Sequence, residues 1–189
     1  MAMHELEGII DKGAEKCEMV FANDARAKIA IMSQGLPHYT HLLGLHSAQI
    51  AIQRGDNSVS AEDVRGAIDI ALTKAQQSII SAYHKATSSS RENLYKQVLL
   101  ACAMAQVDDM GYFAAMDLRV PMSRIMGRPY DIPAYSQHLN AFTERARGPI
   151  LQRTGERRRF RFRFINPLIQ PYVIMDGIQR NLISVHDGE

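Results

Sequence analysis

Residues 150–165 read ILQRTGERRRFRFRFI, and the reading of this stretch decides the fold. Ile150 to Arg153 and Arg157 to Ile165 are suited to two strands, and Thr154-Gly155-Glu156 between them is a glycine-containing turn, so the segment predicts a β-hairpin. In the second strand Phe160, Phe162 and Phe164 alternate with Arg159, Arg161 and Arg163. Successive side chains of a strand point to opposite faces, which sends the phenylalanines to a core and the arginines to solvent. Whether these arginines form one exposed stripe with Arg153 and Arg157, or face a surface built to be covered, separates a polyanion-binding wing from a protein-facing one.

Working outward, Asn166-Pro167 ends the second strand, and Leu168 to about Ile178 is expected to pack back as a final helix. Upstream, Pro133 opens a helix expected to reach about Arg145, where Gly148-Pro149 stops the chain. Pro121 opens a shorter one, Met122 to Met126, followed by the turn Gly127-Arg128-Pro129. Glu92 to about Ala105 is helical, with Leu94, Val98, Leu99 and Cys102 inward, and Asp108-Asp109-Met110-Gly111 breaks it. Helix, short helix, helix and two-stranded ribbon is the order of a winged helix-turn-helix, with the helix after Gly127-Arg128-Pro129 as recognition helix and the ribbon 153–163 as wing.

The first half has the period of helices. Glu5 to about Met19 carries Leu6, Ile9, Ile10 and Cys17; Asn23 or Asp24 caps a second helix through about Gln34, with Ala27, Ile29, Ala30 and Ile31. Gly35 ends that helix and Pro37 starts the next, which runs through His41, Leu42, Leu45, Ala48, Ile50 and Ala51 to about Gln53. After the turn Gly55-Asp56-Asn57, Ser60 with Glu62 and Asp63 opens a long helix, Ala61 to about Ala86, whose buried stripe is Val64, Ala67, Ile68, Ala71, Leu72 and Ile79. Ser88-Ser89-Ser90 marks the expected boundary between a helical domain, 1–87, and a second domain, 91–189. The fold class expected is mainly α, with a small β wing.

At 189 residues, 46% hydrophobic and 22% charged, the chain has the composition of a folded protein, which excludes disordered and collagen-like classes. No apolar run is long enough to span a bilayer and no signal-peptide pattern opens the sequence, so a cytoplasmic protein without membrane contact is expected. Cys17 and Cys102 lie far apart with no zinc-finger spacing, and both are expected to be reduced core thiols. The net charge is +2, but residues 142–165 hold eight arginines, no lysine and two acids; that block is +6 and leaves −4 on the rest of the chain. A basic block of this kind points to a polyanion, double-stranded DNA first among them.

Two further stretches carry a resemblance. Ser33-Gln34-Gly35-Leu36-Pro37-His38-Tyr39, followed by Leu42, Leu43 and Ala48, resembles the sensor-2 region in the helical lid of AAA+ ATPases of the origin-recognition and replication-initiator clade. Val59-Ser60-Ala61-Glu62-Asp63-Val64 with Ala67 resembles the opening of the last lid helix in that clade, whose members carry a winged helix directly after the lid. The resemblance implies a four-helix lid, a nucleotide-facing His38 where the family has an arginine, and a DNA-binding winged helix whose state follows that of the nucleotide. It also implies ATP and Mg²⁺ bound to a core that precedes this chain in a longer ATPase, and a homo-oligomer of that full-length protein as a partner. The sequence has no Gly-x-x-x-x-Gly-Lys-Ser/Thr loop and no apolar strand ending in Asp-Glu, so the chain by itself is expected to be no enzyme and to hold no cofactor.

The DNA-contacting residues expected are Arg124, Arg128, Tyr135, Gln137, His138, Arg153, Arg157, Arg159, Arg161 and Arg163. Backbone contacts should outweigh base readout, because the recognition helix has no cation in its first turns and follows Asp131. His41 and His46 lack the carboxylate or cysteine partners that a metal site needs, and no nucleophile elbow is present. The alternative reading is a winged helix that faces protein, as an interaction or autoinhibitory element of a signalling ATPase; a free-standing adaptor is a third.

Overall fold

The computed structural model describes residues 1–89, 93–156 and 159–184. The described residues are mainly helical with two small sheets, and none of their helices is long and apolar enough to cross a membrane. The described residues form two compact units: Met1–Ala75 together with residues 178–184, and those within Gln76–Gly177.

The first unit contains α1 (Met3–Lys16), α2 (Asn23–Met32), α3 (Pro37–Gln53) and α4 (Ala61–Lys74). Leu6, Ile10, Ile29, Met32, Leu43, Val64, Ala67 and Ile68 make its core. Two strands of two residues each, β1 (Val20–Phe21) and β2 (Ser58–Val59), pair in parallel between the helices. The entry into α4 is a reciprocal cap: the Asp63 amide donates to Ser60 Oγ at 3.3 Å, and the Ser60 amide donates to Asp63 Oδ2 at 2.7 Å. Arg54 closes the same corner from the end of α3, donating to Asp63 Oδ2 at 2.9 Å and to the Ser58 carbonyl at 3.0 Å.

Three expectations for this half are corrected. The inward face of α3 is Tyr39, Thr40, Leu43, His46, Ser47 and Ala51, whereas Leu45 is 55% exposed. The helix carries apolar residues on nearly every side, so its pattern did not fix which face turns in. His46 and Ser47 are tolerated there because the His46 ring meets Gln49 Oε1 at 2.8 Å and the Ser47 hydroxyl donates to the Leu43 carbonyl at 2.7 Å. Cys17 is exposed just past the end of α1, and only Cys102 is a core thiol.

The long helix expected over 61–86 is two, α4 and α5 (Gln77–Thr87), separated where Ala75 (ψ 150°) and Gln76 (ψ 135°) turn extended. The unit boundary therefore falls at Ala75–Gln76 and not at Ser88–Ser90. Residues after the break are tied into the second unit: Tyr83 Oη donates to buried Asp176 at 2.5 Å, and Arg147 Nη1 donates to the carbonyls of Ala86 and Ser88, each at 2.9 Å. Residues 90–92, at the expected start of the second domain, lie outside the described residues.

The second unit continues with α6 (Tyr95–Ala103), β3 (Phe113–Ala114), a 3-10 turn (Ala115–Leu118), α7 (Arg119–Met126), α8 (Ile132–Ala141), β4 (Leu151–Thr154) and β5 (Arg161–Phe164). The helix α9 (Ile169–Gln179) follows, with its residues through Gly177 in this unit. The sheet is antiparallel in the order β3-β5-β4. Its inner face stacks Phe162 on Phe113 at 6.1 Å, over a core that includes Leu99, Leu118, Leu139 and Phe142. Gly177 gives α9 its close approach to Leu100, whose methyls lie 2.8 Å from where a Cβ would stand. The strand β3 was not expected; two residues are too few to show a period.

Candidate nucleic-acid interface

The hairpin register decides which arginines share a face. Gln152 pairs with Arg163 and Thr154 with Arg161, while Arg153 pairs with Phe162 and Leu151 with Phe164. Directly opposed residues lie on the same face of a ladder, so Arg161 and Arg163 stand with Gln152 and Thr154 on the outer face. Arg153 is on the other face, with Phe162. Arg153 therefore does not share one stripe with Arg161 and Arg163: it turns toward α8, donating to Asn140 Oδ1 at 2.9 Å, with its guanidinium 4.4 Å from the Phe160 ring centre. Arg157 lies outside the described residues. Phe162 is buried as expected, but Phe160 and Phe164 are only half-buried.

The outer arginines have partners of their own. Arg161 Nη1 meets Asp108 Oδ2 at 2.9 Å. Arg163 Nε donates to Gln152 Oε1 at 3.1 Å, and its guanidinium lies 4.7 Å from the Tyr112 ring centre. The other oxygen of Asp108 accepts the amides of Met110 (3.0 Å) and Tyr112 (2.8 Å), which folds 108–112 into a tight loop around Gly111 at φ +78°. The Tyr112 amide foremost, then the Met110 amide and the Arg161 charge, hold the Asp108 carboxyl below its usual range. The sequence marks Asp108 only as part of the helix-breaking run Asp108-Asp109-Met110-Gly111, although an aspartate three residues before a glycine signals such a turn. Arg159 is exposed at the end of the hairpin loop, its amide donating to the Glu156 carbonyl at 2.9 Å.

The helix α8 divides the expected contacts differently. Tyr135 is fully buried, and its hydroxyl donates to the Ala115 carbonyl at 2.8 Å; burial pushes its ionisation up to about 12. His138 is 6% exposed and stands edge-on to Tyr95 at 4.8 Å, with Arg147 stacked 3.5 Å from the Tyr95 ring centre. Burial first, then the Arg147 charge, lowers the His138 pKa. Both residues are therefore core groups and not DNA readers, because the inward stripe of α8 runs through Tyr135, His138 and Leu139. Gln137 is exposed, and Ser136 and Asn140 are half-buried beside it. Arg124 and Arg128 are exposed on and after α7, with Arg128 donating to Tyr130 Oη at 3.1 Å.

Between α8, the 3-10 turn and the hairpin lies a groove of about 790 Å³, reached by Ser136 and Asn140 on one side and by Arg159 and Arg161 on the other. In the first unit His38 is exposed on the first turn of α3, beside Tyr39. Among the described residues no three His, Cys, Asp or Glu side chains are grouped to hold a metal ion. In comparisons with known proteins, no family model, no curated protein and no solved structure matches this chain.

Proposed function

We propose that the chain is the helical lid and winged-helix region of an AAA+ ATPase of the origin-recognition or replication-initiator type, and that its winged helix binds double-stranded DNA mainly through the phosphate backbone. The observation that carries the reading is the order α6, β3, α7, α8, β4, β5 with sheet order β3-β5-β4, which sets a helix with an exposed polar side next to a hairpin bearing Arg159, Arg161 and Arg163. Support in the first unit comes from the glycine–proline entry into α3 and the Ser60–Asp63 cap of α4.

In this reading the arginines replace condensed counterions on phosphates, and Gln137 and Ser136 supply polar contacts from α8. A phosphate reaching Arg161 takes the place of Asp108. In this reading ATP and Mg²⁺ belong to an ATPase core, and His38, exposed on the first turn of α3, is the group that would face the nucleotide.

The test is the fluorescence anisotropy of a labelled random duplex titrated with the chain at three salt concentrations. Binding that weakens with salt at roughly −0.9 in log–log slope per phosphate contact supports the reading. No binding at low salt overturns it in favour of a protein-facing winged helix.

A further inference from the structure

The groove beside α8 differs from the rest of this basic surface. Its volume of about 790 Å³ is that of a small-molecule site, within the usual range of about 300–1,000 Å³. Its floor is apolar, from Ile132 and Leu139 on α8 and Phe160 and Phe162 on the hairpin, and Met116, 65% exposed, stands at its wall. Arg159 and Arg161 also line the groove, as do Ser136 and Asn140. Phosphates gain nothing from an apolar floor, and a closed duplex keeps its base faces stacked on one another. An unstacked nucleotide offers both halves of the complement: a flat ring for Phe160 and an anion for Arg159. Phe160 is already held in place, because Arg153 stacks on it and is itself fixed by Asn140.

We propose, resting on the DNA reading above, that this groove receives an unpaired nucleobase, so that the chain prefers single-stranded or locally opened DNA to continuous duplex. An acidic apolar peptide is the other occupant with suitable chemistry. The nucleotide is favoured because Phe160, which lines the groove next to Arg159, offers a ring face on which a planar base stacks and an acidic or aliphatic side chain does not. The Ser136 hydroxyl oxygen supplies an acceptor and the Asn140 amide nitrogen a donor, its oxygen being held by Arg153, and base edges require both.

The experiment compares three labelled DNAs of equal length with the full chain: oligo-dT, a duplex, and the same duplex with a central unpaired bubble containing 2-aminopurine. Oligo-dT and the bubble should bind about tenfold tighter than the duplex, the scale of one base–aromatic stack, and 2-aminopurine emission should be quenched on binding. Phe160→Ala should erase the preference while leaving duplex affinity in place, and Phe160→Trp should keep it. Met116→Glu, at an exposed position that leaves folding intact, should weaken bubble binding more than duplex binding. Equal affinity for all three DNAs, or a preference that survives both Phe160→Ala and Met116→Glu, overturns the proposal and leaves the duplex reading standing. Failure to bind any of the three removes both. Binding of a labelled peptide of alternating Glu and Phe, lost in Met116→Glu, would assign the groove to protein and overturn the proposal.

Discussion

Arg54 and Arg161 each meet an aspartate at 2.9 Å, and each side chain is 47% exposed, yet the two contacts do different work. The difference lies in the acid. Asp63 is 4% exposed; burial pushes its carboxyl up, but the Ser60 amide and hydroxyl and Arg54 together outweigh that and hold it below the usual carboxylate range. Asp108 is 33% exposed, and its first obligation is to the amides of its own loop. An arginine on a buried, capped acid is part of the framework. An arginine on an exposed acid has a partner that a phosphate can replace.

The largest effect should come from removing the exchangeable arginines. Arg159→Ala, Arg161→Ala and Arg163→Ala together should make the salt slope of duplex binding shallower by about three, with thermal stability little changed. A slope that does not move in the folded triple variant would mean that the arginines do not meet phosphate. Arg153→Ala alone should leave the slope nearly unchanged, because that side chain is on the other face.

The opposite pattern is expected of the framework corner. Asp63→Ala leaves the Ser60 amide and Arg54 without the acceptor they share and removes the reciprocal half of the cap, at a cost of about 2 kcal/mol in urea unfolding, without altering DNA affinity. A change in affinity as large as that in stability would mean that the Arg54–Asp63 corner also serves DNA binding. Asp108→Asn keeps an oxygen for the loop amides and removes the charge beside Arg161, so duplex binding should tighten a few-fold at low salt and its slope steepen by about one. Weaker binding would instead make Asp108 a positioning residue.

The smallest effect is a pH dependence of the second unit. The pKa of His138 is lower in the folded chain than its ordinary value of about 6.5. As pH falls below that value the unfolded chain takes up a proton that the folded chain refuses, so stability declines until the folded pKa is passed. Asp63 acts in a lower window, its contribution present above the ordinary carboxylate value and lost as pH falls through the depressed one. Thermal melts from pH 7.5 to 5 should show the first decline, and His138→Phe should remove it.

The helices were legible because Pro37, Gly35, Ser60 and Gly127 punctuate an otherwise periodic pattern, and the hairpin because its alternation is strict. The break at Ala75–Gln76 has no glycine or proline to announce it, and β1, β2 and β3 are too short to carry a pattern. In the candidate site the arginines of β5 were legible as one face. The position of Arg153 was not, since a shift of one residue in register exchanges faces, and residues 155–160 leave the register open. Tyr135 and His138 misled because polar atoms on large rings suit a core as well as a surface when a carbonyl or an aromatic edge is at hand.

The two cysteines divide the molecule chemically. Cys17 is exposed in the first unit, while Cys102 is buried in the second with its thiol pushed well up by burial. A maleimide added to the folded chain will therefore modify Cys17 within minutes and spare Cys102, giving a single-site dye position without mutagenesis. The slower modification of Cys102 then clocks the opening of the second unit alone, so its fluctuations can be timed without first separating it from the first.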